Sequence, residues 1–406
     1  MKKVNLGADI FLKKHLERVK SKKVGLITNQ SGIDRHGRSL VDLFAQNPEI
    51  DLVALYGPEH GVRGDAQAGE FVPFCMDDRY NLPVTSLYGQ LHKPESDMHE
   101  NLDELMRSFD TQKSGKALEQ EMIKDIDVMV YDIQDVGTRI YTYIATMAYC
   151  METCAENNVA FIVLDRPNPI NGTNMEGPVL EYPKFSSFVG LYPIPVRHGM
   201  TTGELAELFN EKYLKRKVNL TVVPMEGWER DMWFDDTALP WIAPSPNMPS
   251  LETATVYPGQ VYLEGTNISE GRGTARPFEI FGAPWIDGSA LVQKLNSLRL
   301  PGVRFKERPY TPTFSKYRGE LCGGAQIQVM DRKEYKPFET SLFTIKAVLD
   351  AYLHTFKFHD GYFDKIMGTS RIREELLLGL SVETILKPSN SDLAQFADTR
   401  QPFLLY

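Results

Sequence analysis

Positive charge is in deficit in this chain: 45 Lys and Arg stand against 54 Asp and Glu, a formal charge of −9. A surface that tracks nucleic-acid phosphates needs a basic excess, so no nucleic-acid partner is expected, and an acidic ligand would have to be held by a few local arginines. Cysteine is scarce. Cys75, Cys150, Cys154 and Cys322 are too few and too scattered for a disulfide framework, and none of their spacings is that of a zinc knuckle. Cys150 and Cys154, four apart, stack on one face of a helix as small buried apolar residues. The start, Met1-Lys2-Lys3-Val4, is basic like an export leader but lacks the apolar stretch that a leader needs. The chain as written is expected in the cytoplasm, with no membrane span; one whose leader had been trimmed would read the same and work in the periplasm or be secreted.

The missing motifs exclude further classes. There is no Gly-x-x-x-x-Gly-Lys-Ser/Thr, and the first apolar strand runs into Asn29-Gln30-Ser31-Gly32 where a dinucleotide site would show Gly-x-Gly-x-x-Gly. No nucleotide or other cofactor is expected. The eight histidines form no His-x-His or His-Glu-x-x-His pair, so no metal is expected, and no Gly-x-Ser-x-Gly elbow is present for a serine hydrolase.

What is present is a regular alternation. Val24–Thr28, Leu52–Tyr56, Val84–Tyr88, Asp127–Ile133, Ala160–Leu164 and Leu220–Val223 read as short apolar strands, with helices over Ser39–Gln46, Ile140–Glu156 and Thr202–Leu214. Apolar strands alternating with helices imply an α/β fold, a Rossmann-like doubly wound parallel sheet covered on both faces. The proline-rich Trp241-Ile242-Ala243-Pro244-Ser245-Pro246-Asn247-Met248-Pro249 suits a rigid connector. The division is placed there, with a Rossmann-like catalytic domain over 1–236 and a smaller C-terminal α/β (α+β) domain over 237–406. The latter carries a helix at Ser289–Leu298, a strand at Ala325–Val329, and helices through Phe338–Leu353 and Ile372–Leu378.

The strand ends carry the chemistry. Tyr56 leads into Gly57-Pro58-Glu59-His60-Gly61-Val62-Arg63-Gly64, Ile133 into Gln134-Asp135-Val136-Gly137-Thr138-Arg139, and Leu164 into Asp165-Arg166-Pro167-Asn168-Pro169. Amides, carboxylates and guanidinium groups on one edge of a parallel sheet suit a hydroxyl-rich ligand. Solvated loops would carry lysines and glutamates instead. For single residues the structural readings are an Asp165–Arg166 ion pair, a core acid at Asp132, and a capping box in Thr201-Thr202-Gly203-Glu204. Arg197-His198-Gly199, just ahead of that cap, has a guanidinium beside a helix N-terminus, an arrangement that attracts an anion. Carboxylate chemistry of the glycosidase kind is what remains: a protonated acid at the leaving oxygen, with a second carboxylate or the substrate's own amide stabilising the cationic sugar.

Taken together, the Pro58-Glu59-His60-Gly61 loop, Tyr131-Asp132-Ile133-Gln134-Asp135-Val136-Gly137, Asp165-Arg166-Pro167-Asn168-Pro169, Arg197-His198-Gly199-Met200-Thr201, Pro244-Ser245-Pro246-Asn247-Met248-Pro249 and Glu264-Gly265-Thr266-Asn267 through Gly271-Arg272-Gly273-Thr274 resemble, in order, the bacterial exo-β-N-acetylmuramidases. That family was long catalogued only as a domain of unknown function. The resemblance runs from about Val24 to the C-terminus. It implies a glycoside hydrolase that releases N-acetylmuramic acid from the non-reducing end of peptidoglycan fragments, in a pocket between two domains, with Glu59 as catalytic acid and no cofactor. Two departures stand out: the stretch from about Met98 to Glu121 is longer than is usual in the family, and the usual export signal is missing. On this reading Glu59, His60 and Asp135 are the catalytic candidates. Asn29, Arg63, Gln134, Arg139, Arg166, Asn168, Arg197, His198, Asn247, Glu264, Asn267, Glu270 and Arg272 are the substrate-binding candidates. The lactyl carboxylate that distinguishes muramic acid from glucosamine calls for a positioned arginine, and Glu264–Thr274 is expected to close as a lid. The rival reading is a non-catalytic muropeptide-binding or sensing protein on the same scaffold.

Overall fold

The computed structural model describes residues 3–58, 61–64, 74–87 and 120–406. Its centre is a seven-stranded sheet in the order β3-β4-β2-β1-β5-β6-β9. The strands are β1 (Lys23–Thr28), β2 (Asp51–Gly57), β3 (Cys75–Asp77), β4 (Leu82–Ser86), β5 (Val128–Asp132), β6 (Ala160–Leu164) and β9 (Leu220–Val223). Only β3 is antiparallel to its neighbour. The six parallel strands, counted along the chain, lie in the order 3-2-1-4-5-6 that defines a Rossmann-like sheet, and the direction of winding reverses between β1 and β5.

Alternate residues of each strand enter two different cores, so the strands read as unbroken apolar runs. Ile27, Met129, Tyr131, Phe161 and Val163 pack on one face with the helices Tyr143–Asn157 and Thr202–Lys212. Val24, Leu26, Val128, Val130, Ile162 and Leu164 pack on the other with Gly7–Lys14 and Leu40–Ala45. Cys150 and Cys154 are buried in the first of these cores. Among the described residues no helix is long and apolar enough to cross a membrane.

Two short strands, β7 (Glu176–Val179) and β8 (Pro195–Arg197), form a separate ribbon that a bridge between Arg197 and Thr138 joins to the loop after β5. Residues 237–250 form no regular element. Beyond them lies a three-stranded antiparallel sheet, β10 (Ile280–Ala283), β12 (Gly323–Val329) and β11 (Val303–Glu307), in that spatial order. Helices at Leu251–Gln260, Gly288–Ser297 and Pro337–Ala351 pack with it, and its core side chains Phe281, Phe305 and Ile327 are continuous with the first face of the large sheet. Tyr257-Pro258-Gly259 forms the last part of the helix Leu251–Gln260. A Cβ at Gly259 would stand 2.0 Å from the Pro337 carbonyl oxygen, so the missing side chain lets two helices meet backbone to backbone. The chain then returns to the first sheet through the long helix Val382–Arg400 and the tail that ends at Tyr406.

Candidate active site

The reversal of winding places the carboxyl ends of β1 and β5 on either side of a crevice, the usual ligand position in such sheets. From β1 comes Asn29. Its Oδ1 accepts from the Ser31 amide at 2.9 Å and the Ser31 hydroxyl at 2.6 Å, while its Nδ2 donates to the Pro244 carbonyl at 3.2 Å and Tyr143 Oη at 3.3 Å. Gln30 donates to Ala243 O at 2.9 Å and Pro244 O at 3.0 Å, which ties the connector directly to the strand end. The loop after β2 lies against the same amide, since a Cβ at Gly64 would meet the Gln30 side chain at 2.3 Å. Glu59 and His60, and most of the Met98–Glu121 stretch, lie outside the described residues. The flanks of Glu59 are described: Gly57 closes β2, and the Gly61 amide donates to Pro58 O at 3.0 Å.

From β5 comes Gln134, whose amide N–H donates to Ser31 Oγ at 3.0 Å and whose Nε2 donates to Asp135 O at 2.7 Å and Pro167 O at 2.8 Å, joining three loops. Asp135, 5% exposed, accepts from the Gly137 amide at 2.7 Å through Oδ2. His198 Nε2 stands 3.6 Å from that oxygen. The Met200 amide donates to His198 Nδ1 at 3.2 Å, which assigns the proton of the neutral ring to Nε2, on the side of Asp135. Both Asp135 Oδ1 and His198 Nε2 are buried with no hydrogen-bond partner among the described residues. Buried polar atoms are rarely left so, which makes this pair at the sheet's switch point the candidate position for a ligand group. Asn168 completes this group from β6, with Nδ2 donating to Met200 O at 3.0 Å and Oδ1 accepting from the Ile170 amide at 3.1 Å.

The structure thus gathers Asn29, Gln134, Asp135, Asn168 and His198. Several expected ligand groups are spent elsewhere. Arg166 does not pair with Asp165: it crosses to Asp132 on β5, with Nε at 2.6 Å and Nη2 at 2.8 Å, and both side chains are buried. Arg139, 1% exposed, gives Nη1 to Pro178 O and Ile194 O and Nη2 to Ile366 O and Met367 O. Lacking a carboxylate partner, it is pushed down by burial to about 10. Arg197, also 1% exposed, binds Glu176 at 2.7 Å and the Ile170 carbonyl. The anion at the N-terminus of helix Thr202–Lys212 is the protein's own Asp165, which accepts from Gly203 N and Thr201 Oγ1 at 2.7 Å each. The capping box expected at Thr201 and Glu204 is present.

The Asp165 carboxyl is pushed up to about 6, by burial first and then by Glu204, against the hydrogen bonds from Gly203, Thr201 and Tyr406. A carboxyl with a raised native pKa holds its proton more tightly folded than unfolded. Its contribution is therefore greatest at low pH and is lost as pH rises from about 4 to about 6, by on the order of 3 kcal/mol. Denaturant melts at pH 4, 5, 6 and 7 test this: relative to wild type, Asp165→Asn should gain stability across that interval, and a difference independent of pH would contradict it.

A second group lies in the C-terminal part. Arg272 Nη2 is 2.7 Å from Glu264 Oε1 and its Nε is 3.4 Å from Glu270 Oε1; Tyr362 donates to Glu264 Oε2 at 2.9 Å. Lys316, which no local signal announced, donates to Glu270 Oε2 at 3.1 Å and to the Leu263 and Ile268 carbonyls. Burial pushes the Glu270 carboxyl up, but Lys316 and Arg272 outweigh it and hold the group below its ordinary value. Asn267 is bound to Thr355 and Lys357. Arg63, 43% exposed at its side chain, pairs with Asp77. Asn247 is buried in the connector three residues past Pro244 and carries no hydrogen bond among the described residues.

The two groups are linked by rings in contact. Tyr143 meets Tyr141 (centroids 4.8 Å), Tyr141 meets Tyr257 (5.9 Å), Tyr257 meets Phe278 (4.8 Å), and Arg272 stacks over Phe278 at 5.1 Å. A cavity of about 380 Å³ lies elsewhere, lined by Asp235, Leu251, Arg276, Gln328 and Arg332, and includes none of the strand-end residues.

Known proteins match this chain along its whole length. Residues 24–116 and 108–252 match the family described as exo-beta-N-acetylmuramidase NamZ, N-terminal, and residues 255–406 match its C-terminal counterpart. Over 405 residues the chain is 49% identical to the peptidoglycan beta-N-acetylmuramidase NamZ of Bacillus subtilis (strain 168), covering 100% of this chain and 92% of that protein. Crystal structures of two DUF1343 family proteins from Bacteroides fragilis NCTC 9343 are similar in fold, one with TM-score 0.87 at 37% identity and the other with 0.76 at 29%. They cover 100% and 99% of this chain, and 99% of each of theirs. The chain belongs to the NamZ family of exo-β-N-acetylmuramidases.

Proposed function

We propose that this protein is a peptidoglycan β-N-acetylmuramidase acting from the non-reducing end, with its reacting centre over the β1–β5 crevice and Glu59 as general acid. The observation that carries the reading is the buried Asp135–His198 pair at the strand-end crevice: His198 Nε2 lies 3.6 Å from Asp135 Oδ2, and that nitrogen and the carboxylate's other oxygen, Oδ1, have no hydrogen-bond partner among the described residues. Family membership and the named activity of the Bacillus subtilis relative support the substrate class.

In the proposed reaction Glu59 gives its proton to the glycosidic oxygen as the bond to the anomeric carbon breaks. Positive charge then develops on the muramic ring, and the Asp135 carboxylate lowers its energy, held by the Gly137 amide and flanked by the His198 imidazole. Water adds to the anomeric carbon and its proton returns to Glu59. The connector at Ala243–Pro244 and the Glu264–Arg272 cluster, joined to the strand ends through Gln30 and the tyrosine run, form the far wall of an inter-domain pocket.

Two arginines are the candidates to read the lactyl carboxylate. Arg139 is buried among backbone carbonyls and Arg197 against Glu176 and the Ile170 carbonyl, whereas Arg63, paired with Asp77, is half exposed, and Arg272, paired with Glu264 and Glu270, stacks over Phe278. Replacing the reader by alanine should raise KM for muramic substrates and narrow the gap to glucosamine analogues by roughly 10- to 100-fold, since a charged hydrogen bond contributes about 1.5–3 kcal/mol. Discrimination unchanged in both Arg63→Ala and Arg272→Ala would assign selectivity to shape instead. The function is tested by incubating the protein with peptidoglycan fragments that begin with either muramic acid or glucosamine. Free N-acetylmuramic acid released from the first set alone fits the proposal, and internal cleavage into disaccharides would overturn it.

A further inference from the structure

The turn that carries His198 is held from behind by an arginine that the rest of the site does not explain. Arg400 is the last residue of helix Val382–Arg400 and is buried at 8% exposure. Among the described residues its guanidinium touches no carboxylate. Nη1 donates to Gly199 O at 2.6 Å, His198 O at 3.2 Å and Gly172 O at 3.3 Å, and Nη2 to Thr173 O at 3.4 Å. Arg230 reaches the same place, with Nη2 2.6 Å from Gly199 O and 2.8 Å from Gly172 O, and its Nη1 on Glu204 at 2.6 Å. Two cations therefore share two carbonyl oxygens with a single carboxylate beside them. Burial pushes Arg400 down to about 10, and Arg230 adds to that shift against Glu204. A role limited to satisfying the carbonyls would need only one of them.

The backbone is shaped for this contact. Gly199 has φ +60°, and a Cβ there would meet Arg400 Nη1 at 2.6 Å and Asn174 O at 2.8 Å. On the other side of the same turn, the fully buried His198 ring faces Asp135. The tail beyond Arg400 fastens the helix end: the Leu405 amide donates to Glu204 Oε1 at 2.9 Å, Tyr406 Oη donates to Asp165 Oδ2 at 2.7 Å, and the Tyr406 ring packs edge-on against Trp228.

We infer that Arg400 is a positioning residue for the glycosidase reaction, a clamp from the C-terminal helix that fixes the His198–Gly199 turn and so the imidazole on Asp135. This rests on the reading of Asp135 and His198 as part of the reacting centre. Shifting a group by about 1 Å costs on the order of 10²-fold in rate. Loosening the clamp therefore lowers turnover, while substrate binding at the remaining walls persists.

A double-mutant cycle tests this with a chromogenic β-N-acetylmuramide, comparing wild type, Arg400→Lys, His198→Ala and the double variant, each checked by thermal melt. The expected result is a kcat about tenfold or more lower in Arg400→Lys with KM changed less than twofold, and no further loss when Arg400→Lys is added to His198→Ala. An equal loss in both backgrounds, or no loss at all, overturns the clamp. Wild-type turnover in His198→Ala would overturn the reading of the centre itself, and the clamp with it, so the two failures are distinguishable. Should Arg400→Lys not fold, Arg230→Lys loosens the same Gly199 carbonyl and enters the same cycle with the same two outcomes.

Discussion

Glu59→Gln is expected to abolish turnover while leaving the fold and sugar binding nearly intact. The amide keeps the shape of the carboxyl and loses the transferable proton, and loss of a general acid lowers the rate on the order of 10²–10⁴. The residue follows Gly57–Pro58 at the carboxyl end of β2, the strand beside β1, and the turn that follows it at Gly61–Gly64 rests on Gln30 and hence on the connector. The deficit should shrink on a substrate whose leaving group needs no protonation. A Glu59→Gln protein that kept most of its activity on a natural fragment would remove Glu59 from this role.

Arg166→Ala should be the most destabilising single change at the strand ends. Burial pushes the Asp132 carboxyl above its ordinary value and Arg166 is its charged partner, so removing the guanidinium leaves an acid enclosed without compensation. Breaking such a pair from one side costs about 3–5 kcal/mol, whereas replacing both partners by apolar residues of similar volume is often close to neutral. The measurement is urea unfolding of Arg166→Ala and of the double variant Asp132→Leu, Arg166→Met. A large loss in the first and substantial recovery in the second are expected. Near-native stability in Arg166→Ala would mean that the pair is not structural and would return Arg166 to the substrate-binding set.

The Asp132–Arg166 pair also shows where sequence reading stops. Adjacent Asp165 and Arg166 invite pairing, but neighbouring side chains at a strand end leave on opposite faces, and Arg166 reaches the next strand while Asp165 turns under the helix N-terminus. The parallel sheet was legible because strands buried on both faces must be apolar throughout: Val24–Thr28 and Ala160–Leu164 were readable almost to the residue. The glycine- and amide-rich strand ends pointed to Asn29, Gln134 and Asp135 for the same kind of reason, since polar residues that end an apolar strand have few structural uses, whereas His198 was singled out by its place just ahead of a helix N-terminus. Which arginines face a ligand was not readable at all. Arg139 and Arg197 sit in motifs as suggestive as that of Arg63, and only the folded contacts, the Ile366 and Met367 carbonyls for Arg139 and the Glu176 carboxylate with the Ile170 carbonyl for Arg197, show that their guanidinium groups are already occupied. Lys316, Arg400 and Tyr406 lie far from the residues they hold, and no local pattern encodes such a contact.

Cleavage at a terminal muramic acid, with its lactyl carboxylate as the recognised group, is tested by side-by-side incubation with a chromogenic β-N-acetylmuramide and its β-N-acetylglucosaminide counterpart. Rapid release of the chromophore from the muramide and little or none from the glucosaminide is expected; equal cleavage of both, or cleavage of neither, would refute this specificity.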